Sequence, residues 1–124
     1  MVTALGIDLV DVARIEKAVE RWGSRFLSRV FTPAEIEYCT RRGERFRSFA
    51  ARFAAKEAGM KALGTGWHNG VRWVDFEVTR ASGSAPEMQL YGRAADLAQG
   101  RRFLVSLTHT DTQAIAVVIA ETVP

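Results

Sequence analysis

The sequence predicts an α+β chain in which a largely antiparallel sheet packs on a long central helix. Three observations carry this. Residues 45–63 keep apolar positions at helical spacing until the stop at Gly64-Thr65-Gly66. Residues 3–9 and 71–80 alternate as strands do, and segments 102–109 and 113–121 flank Thr110-Asp111-Thr112 as a hairpin. The order β-α-α-α-β-β-α-β-β groups helices in the first half and strands in the second. At 124 residues, a single domain spanning 1–124 is expected.

In the first strand, Leu5, Ile7 and Leu9 face one way and Gly6 and Asp8 the other. Asp11 is placed to cap a helix running to about Trp22, with Ile15, Ala18, Val19 and Trp22 as its apolar stripe. Thr32-Pro33-Ala34-Glu35 opens the next helix with a capping box, and Gly43 closes it. The long helix follows. In 71–80, Val74, Phe76 and Val78 face opposite to Trp73, Asp75 and Glu77. The 82–86 stretch turns into a short strand at 87–91, and a short helix at 92–99 ends at Gly100. The last two strands are apolar on both faces, which predicts cover on both sides.

Hydrophobic residues at 48% and charged residues at 25% are ordinary for a soluble globular chain. A net charge of +3 favours an anionic partner without specifying it. The lone Cys39 cannot form an internal disulfide, so a cytoplasmic location is expected, with Cys39 a small buried hydrophobe. Asp8 and Asp11 interrupt the first apolar run and no basic segment precedes it, so no signal peptide is expected. No stretch has the length of a membrane span.

On the long helix, Phe46, Phe49, Ala50, Phe53 and Met60 share a side, and Glu57 projects near its middle with Lys61 one turn on. Arg52 and Lys56 lie off that stripe. Small residues on the opposite face (Ser48, Ala51, Ala55, Gly59, Ala62) predict a helix packed on two sides. Two readings of Glu57 and Lys61 stand: an i,i+4 pair on a solvated face, or an inward pair meeting a ligand. Asp8 and Glu57 supply the carboxylates that a Mg²⁺ site asks of a protein, with Lys61 near a phosphate and the Gly64-Thr65-Gly66 amides as further donors. His109 ends a strand on the face of Phe103, Val105 and Leu107, where it is a core-edge residue or a ligand contact. No pair of histidines or cysteines has zinc spacing, and no nucleophile elbow, P-loop or dinucleotide fingerprint is present. Arg14, Lys17, Arg21 and Arg25 form a basic stripe, either a solvated face or a dock for an acidic helix; aromatics do not interleave with it, so no nucleic-acid partner is expected.

With those residues in view, the chain resembles the holo-acyl-carrier-protein synthases, the short trimeric group of 4′-phosphopantetheinyl transferases. The resemblance rests on GIDLVDVARI (6–15), FTPAE (31–35), RFAAKEAGMKALGTG (52–66), WVDFEV (73–78), the Pro86 turn, LYGRA (90–94) and VSLTHT (105–110). It implies that fold, and transfer of phosphopantetheine from coenzyme A to a serine of apo-acyl carrier protein, releasing adenosine 3′,5′-bisphosphate. It further implies Asp8 and Glu57 as Mg²⁺ ligands, with Mn²⁺ an alternative, and Lys61 on the diphosphate. Arg52, His109 and Thr110 match contacts to the 3′-phosphate, and Pro86 matches the turn near the adenine. Arg14 matches a salt bridge to the carrier's acidic helix, extended by Arg21 and Arg25. A homotrimer with sites between subunits is implied, and no membrane partner. Asp111 departs from the pattern and reads as a turn cap, the alternative being a role at the metal.

The expected reaction is an in-line phosphoryl transfer with Mg²⁺. Glu57, directly or through a water, is the first candidate for the base; an acid of the carrier or a water alone are the others. The rival readings are a Mg²⁺-dependent phosphohydrolase and a non-catalytic nucleotide-binding module.

Overall fold

In the computed structural model, which describes residues 1–64, 68–81 and 83–124 (His68 through its main chain), the axis of the fold is α4 (Arg45–Leu63). Fourteen of its nineteen residues are buried, so the helix is enclosed on several sides, as its small residues predict. Gly64 ends it in the left-handed region at φ 86°, with its amide on the Met60 carbonyl.

The chain enters through β1 (Val2–Asp11), then α1 (Val12–Trp22), α2 (Ser24–Val30) and α3 (Pro33–Thr40) before α4. After it come β2 (Phe76–Thr79), β3 (Glu87–Leu90), α5 (Gly92–Ala98), β4 (Arg102–His109) and β5 (Gln113–Glu121). All pairings are antiparallel: one sheet runs β1-β5-β4, and β2 pairs with β3. In the three-stranded sheet, Gly6, Val10, Phe103 and the alanines of β5 are buried, and β1 lies directly on α4 at Gly6.

Several expectations change. The helix α2 was not expected; Gly23, at φ 55°, breaks the chain after α1, and seven residues are too few to display a periodic stripe. Residues Trp73–Asp75 form a 3-10 turn rather than strand, with Asp75 buried and accepting from the Arg72 amide at 3.0 Å. Trp22 is 52% exposed rather than part of the packed stripe. Asp11 holds the N-cap position of α1, yet its side chain makes no cap bond and instead accepts from Gln113 Nε2 at 3.3 Å. The outer face of the main sheet is bare in this chain: Leu5, Ile7 and Leu9 of β1 are each more than half exposed, and on β4, where cover on both sides was expected, Leu104 is 44% exposed. The capping box at Thr32 and Glu35 forms as expected.

The charged residues most deeply enclosed by α4 are not Glu57 and Lys61 but Lys56 and Arg52. Lys56 Nζ meets Glu35 Oε1 at 2.7 Å with both side chains fully buried, and donates to the carbonyls of Trp73 and Phe76. Glu35 Oε1 also accepts from the Thr32 amide and Oε2 from the Val78 amide, each at 2.9 Å. The pair thus ties α3, α4 and β2 together with its hydrogen-bonding capacity used. Lys56→Met leaves Glu35 buried without its counter-charge and should lose about 3–5 kcal/mol in thermal or urea unfolding, with Glu35→Leu/Lys56→Met recovering part of it. Equal stability of the single variant and wild type would contradict that account.

Candidate functional site

Asp8 comes from β1 and Glu57 and Lys61 from α4, which crosses that strand. The i,i+4 spacing stacks Glu57 and Lys61 on one side of the helix. Lys61 Nζ lies 3.2 Å from Asp8 Oδ1 and donates to the Ile7 carbonyl at 2.9 Å. Lys61 therefore pairs across to the strand. Glu57 is half-buried, and its carboxyl is pushed above the usual range by burial and then by the charge of Asp8; Arg14 and Lys61 oppose the shift. Two acids and two bases thus meet where β1, α1 and α4 join.

This arrangement fits a small divalent cation. Two hard carboxylates stand close enough that the charge of Asp8 adds to burial in raising the Glu57 carboxyl, and a cation would relieve that repulsion. Among the described residues no cluster of three or more metal-ligating side chains exists, so remaining ligands would be water or substrate oxygens.

The other expected site residues lie elsewhere in this chain. Asp8 pairs with Ala116 and Ala116 with Leu107, so His109 stands two strand spacings away, about 10 Å, and further along β4. It shares the face of Phe103 and is exposed. The Thr110 hydroxyl accepts from the amides of Thr112 and Gln113, so Thr110 caps the turn where Asp111 had been expected to. Arg52 turns onto α3, its guanidinium carbon 4.0 Å from the centroid of the Tyr38 ring, and its buried Nε has no hydrogen-bond partner among the described residues. Pro86, half-buried, precedes β3 in the ribbon that packs on Gly59, about 160° around α4 from Glu57. Thr65 and Gly66 lie outside the described residues.

The basic residues Arg14, Lys17, Arg21, Arg25 and Arg29 are exposed along α1 and α2. The sequence did not show that Arg14, Arg25 and Arg29 rim a cavity of about 470 Å³ floored by Phe26, Phe53 and Trp73. Its signal, in hindsight, is Phe26 and Phe53 near that stripe. Arg14 lies over the Phe53 ring, 5.3 Å from its centroid. A cavity of about 620 Å³ at the α3–α4 corner, lined by Tyr38, Arg41, Arg42 and Glu44, includes none of the acids at the β1–α4 junction. Cys39 is buried, its thiol pushed up to about 11 by burial, which leaves it unreactive. No described helix is long and apolar enough to cross a membrane.

Comparison with known proteins assigns this arrangement to a class. Residues 4–118 match the model of the 4′-phosphopantetheinyl transferase superfamily. A holo-[acyl-carrier-protein] synthase of Koribacter versatilis is 52% identical over 98% of this chain and 99% of its own, and one of Solibacter usitatus is 47% identical at the same coverage. The Helicobacter pylori holo-[acyl-carrier-protein] synthase, solved in complex with coenzyme A, superposes with a TM-score of 0.84 at 35% identity, covering 94% of this chain and 99% of that one. The Neisseria meningitidis synthase gives 0.85 at 32%, covering 98% and 100%. The chain is a transferase of the 4′-phosphopantetheinyl transferase superfamily. Within it, the chain belongs to the holo-acyl-carrier-protein synthases.

Proposed function

We propose that this chain, acting as one domain over residues 1–124, transfers 4′-phosphopantetheine from coenzyme A to a serine of apo-acyl carrier protein. The observation that carries the reading is Asp8 paired with Lys61 beside Glu57, in a chain that matches holo-acyl-carrier-protein synthases from end to end. The serine Oγ forms a bond to the β-phosphorus as the diphosphate bridge breaks, and adenosine 3′,5′-bisphosphate leaves. Asp8 and Glu57 are the residues that would hold Mg²⁺ or Mn²⁺, which when bound neutralises the diphosphate. Lys61 places its ammonium against the same charge, which grows on the leaving oxygens. Glu57 takes the serine proton directly or through a water. The Arg14–Arg25 groove, with Arg21 beside it, receives the acidic helix of the carrier.

His109, with Thr110, serves coenzyme A at the Asp8 of a neighbouring copy of the chain, and Arg52 and Pro86 contact the same ligand. In support, Leu5, Ile7 and Leu9 are 63%, 52% and 57% exposed on a sheet face that also carries exposed Leu104, a surface suited to a homotrimer. The lone reduced cysteine favours a cytoplasmic enzyme. A phosphohydrolase would use the same acids but leave the basic groove without a role, and is not favoured.

The test is intact-mass spectrometry of apo-acyl carrier protein incubated with the enzyme, coenzyme A and Mg²⁺, with and without chelator. A chelator-sensitive gain of one phosphopantetheine is expected, and Arg21→Glu should raise the KM for carrier roughly tenfold. No gain with any of several carriers would refute the reading.

A further inference from the structure

The turn between β4 and β5 carries His109 and Thr110, and it is held from two directions. Thr110 closes it, its amide donating to the Gln113 carbonyl at 2.8 Å and its hydroxyl accepting from the Gln113 amide at 3.1 Å. Toward the β1–α1 corner, the Val12 amide donates to the Thr112 carbonyl at 2.9 Å and Gln113 Nε2 donates to Asp11. Toward α4, Asp111 Oδ1 lies 3.2 Å from Arg47 Nη2. The other end of that guanidinium is already fixed, with Nη1 donating to Glu44 Oε1 at 2.8 Å. Arg47 is the less exposed partner, at 32% against 86% for Asp111.

An exposed pair of this kind adds little to stability. Its placement matters more. A carboxylate two residues beyond His109 would repel an incoming phosphate, and the bond to Arg47, a cation it shares with Glu44, offsets part of its charge and turns it toward α4. Resting on the reading above, in which His109 and Thr110 meet the 3′-phosphate of coenzyme A, we infer that Arg47 and Asp111 are positioning residues for that phosphate, acting through the turn. Neither touches the ligand. The pair holds the turn that presents His109, and it draws the Asp111 carboxylate away from it.

Asp111→Asn and Arg47→Gln should each raise the KM for coenzyme A roughly two- to fivefold, with kcat and the KM for carrier unchanged. The double variant should be no worse than either single one, and Asp111→Glu should restore the wild-type value. Amide hydrogen exchange at Thr110, Thr112 and Gln113 should quicken in Asp111→Asn. Unchanged exchange, or additive effects in the double variant, would overturn the latch. A wild-type chain that transfers nothing would sink the coenzyme A role with the transferase reading, while quickened exchange would still show the latch by itself.

Discussion

Gly6→Ala is expected to abolish folding of the chain. A Cβ at Gly6 would stand 2.9 Å from the carbonyl carbon of Ala58 and from the Ala62 amide nitrogen, and closer still to the Ala58 carbonyl oxygen. These are main-chain atoms of α4, which cannot rotate aside as a side chain can. Relief would require β1 to lift from the helix, carrying Asp8 away from Glu57 and Lys61. The loss should exceed about 4 kcal/mol, a large share of the stability of a chain this size. Gly43→Ala is the control, since among the described residues beyond its chain neighbours no atom lies within 4 Å of the position where its Cβ would sit. The measurement is soluble yield and thermal unfolding of both. A Gly6→Ala protein that melts with the wild type would mean that β1 and α4 are not in this close register.

That contact also shows why parts of the fold are legible in sequence and others are not. The boundaries of α4, β4 and β5 follow from turn and stop residues, and the structure reproduces them at 45–63, 102–109 and 113–121. The capping box needed only Thr32 and Glu35 three residues apart. The second oxygen of Glu35, which meets the Val78 amide, depends on a strand forty-three residues away and leaves no local trace. Phase reading fails on α4 for a related reason. It assumes one apolar face, whereas this helix is buried around most of its circumference, so Lys56 is enclosed while Glu57 reaches the edge. Trp73–Asp75 alternates in character like a strand and still folds as a tight turn, because the Asp75 carboxylate captures the Arg72 amide. At the candidate site, spacing leaves Glu57 and Lys61 as either a solvated pair or an inward pair, and the structure brings both beside Asp8. His109, Arg52 and Pro86 are singled out as ligand contacts by the resemblance, and this chain does not bring them to the acids.

Glu57→Gln should abolish transfer and yet give a more stable protein. The folded-state pKa of Glu57 is raised, burial being the largest cause and Asp8 the next. The folded chain therefore binds a proton more tightly there than the unfolded chain, and stability falls as pH rises between the two pKa values. The penalty is complete above the folded value and absent below the unfolded one, about 4.3 for an unperturbed glutamate. Glutamine keeps the shape and never carries the charge. In chelator, the variant should melt higher than wild type at about pH 8, and the gap should close near pH 4. Mg²⁺ should then raise the melting temperature of the wild type and leave the variant unmoved, because binding to the folded state alone stabilises it. Activity should drop on the order of a hundredfold or more. A variant that is stabilised and still turns over normally with Mg²⁺ would keep the electrostatic account of Glu57 while removing it from both metal holding and proton transfer. A variant that is inactive and no more stable would instead place in doubt the burial of the Glu57 charge and its repulsion with Asp8.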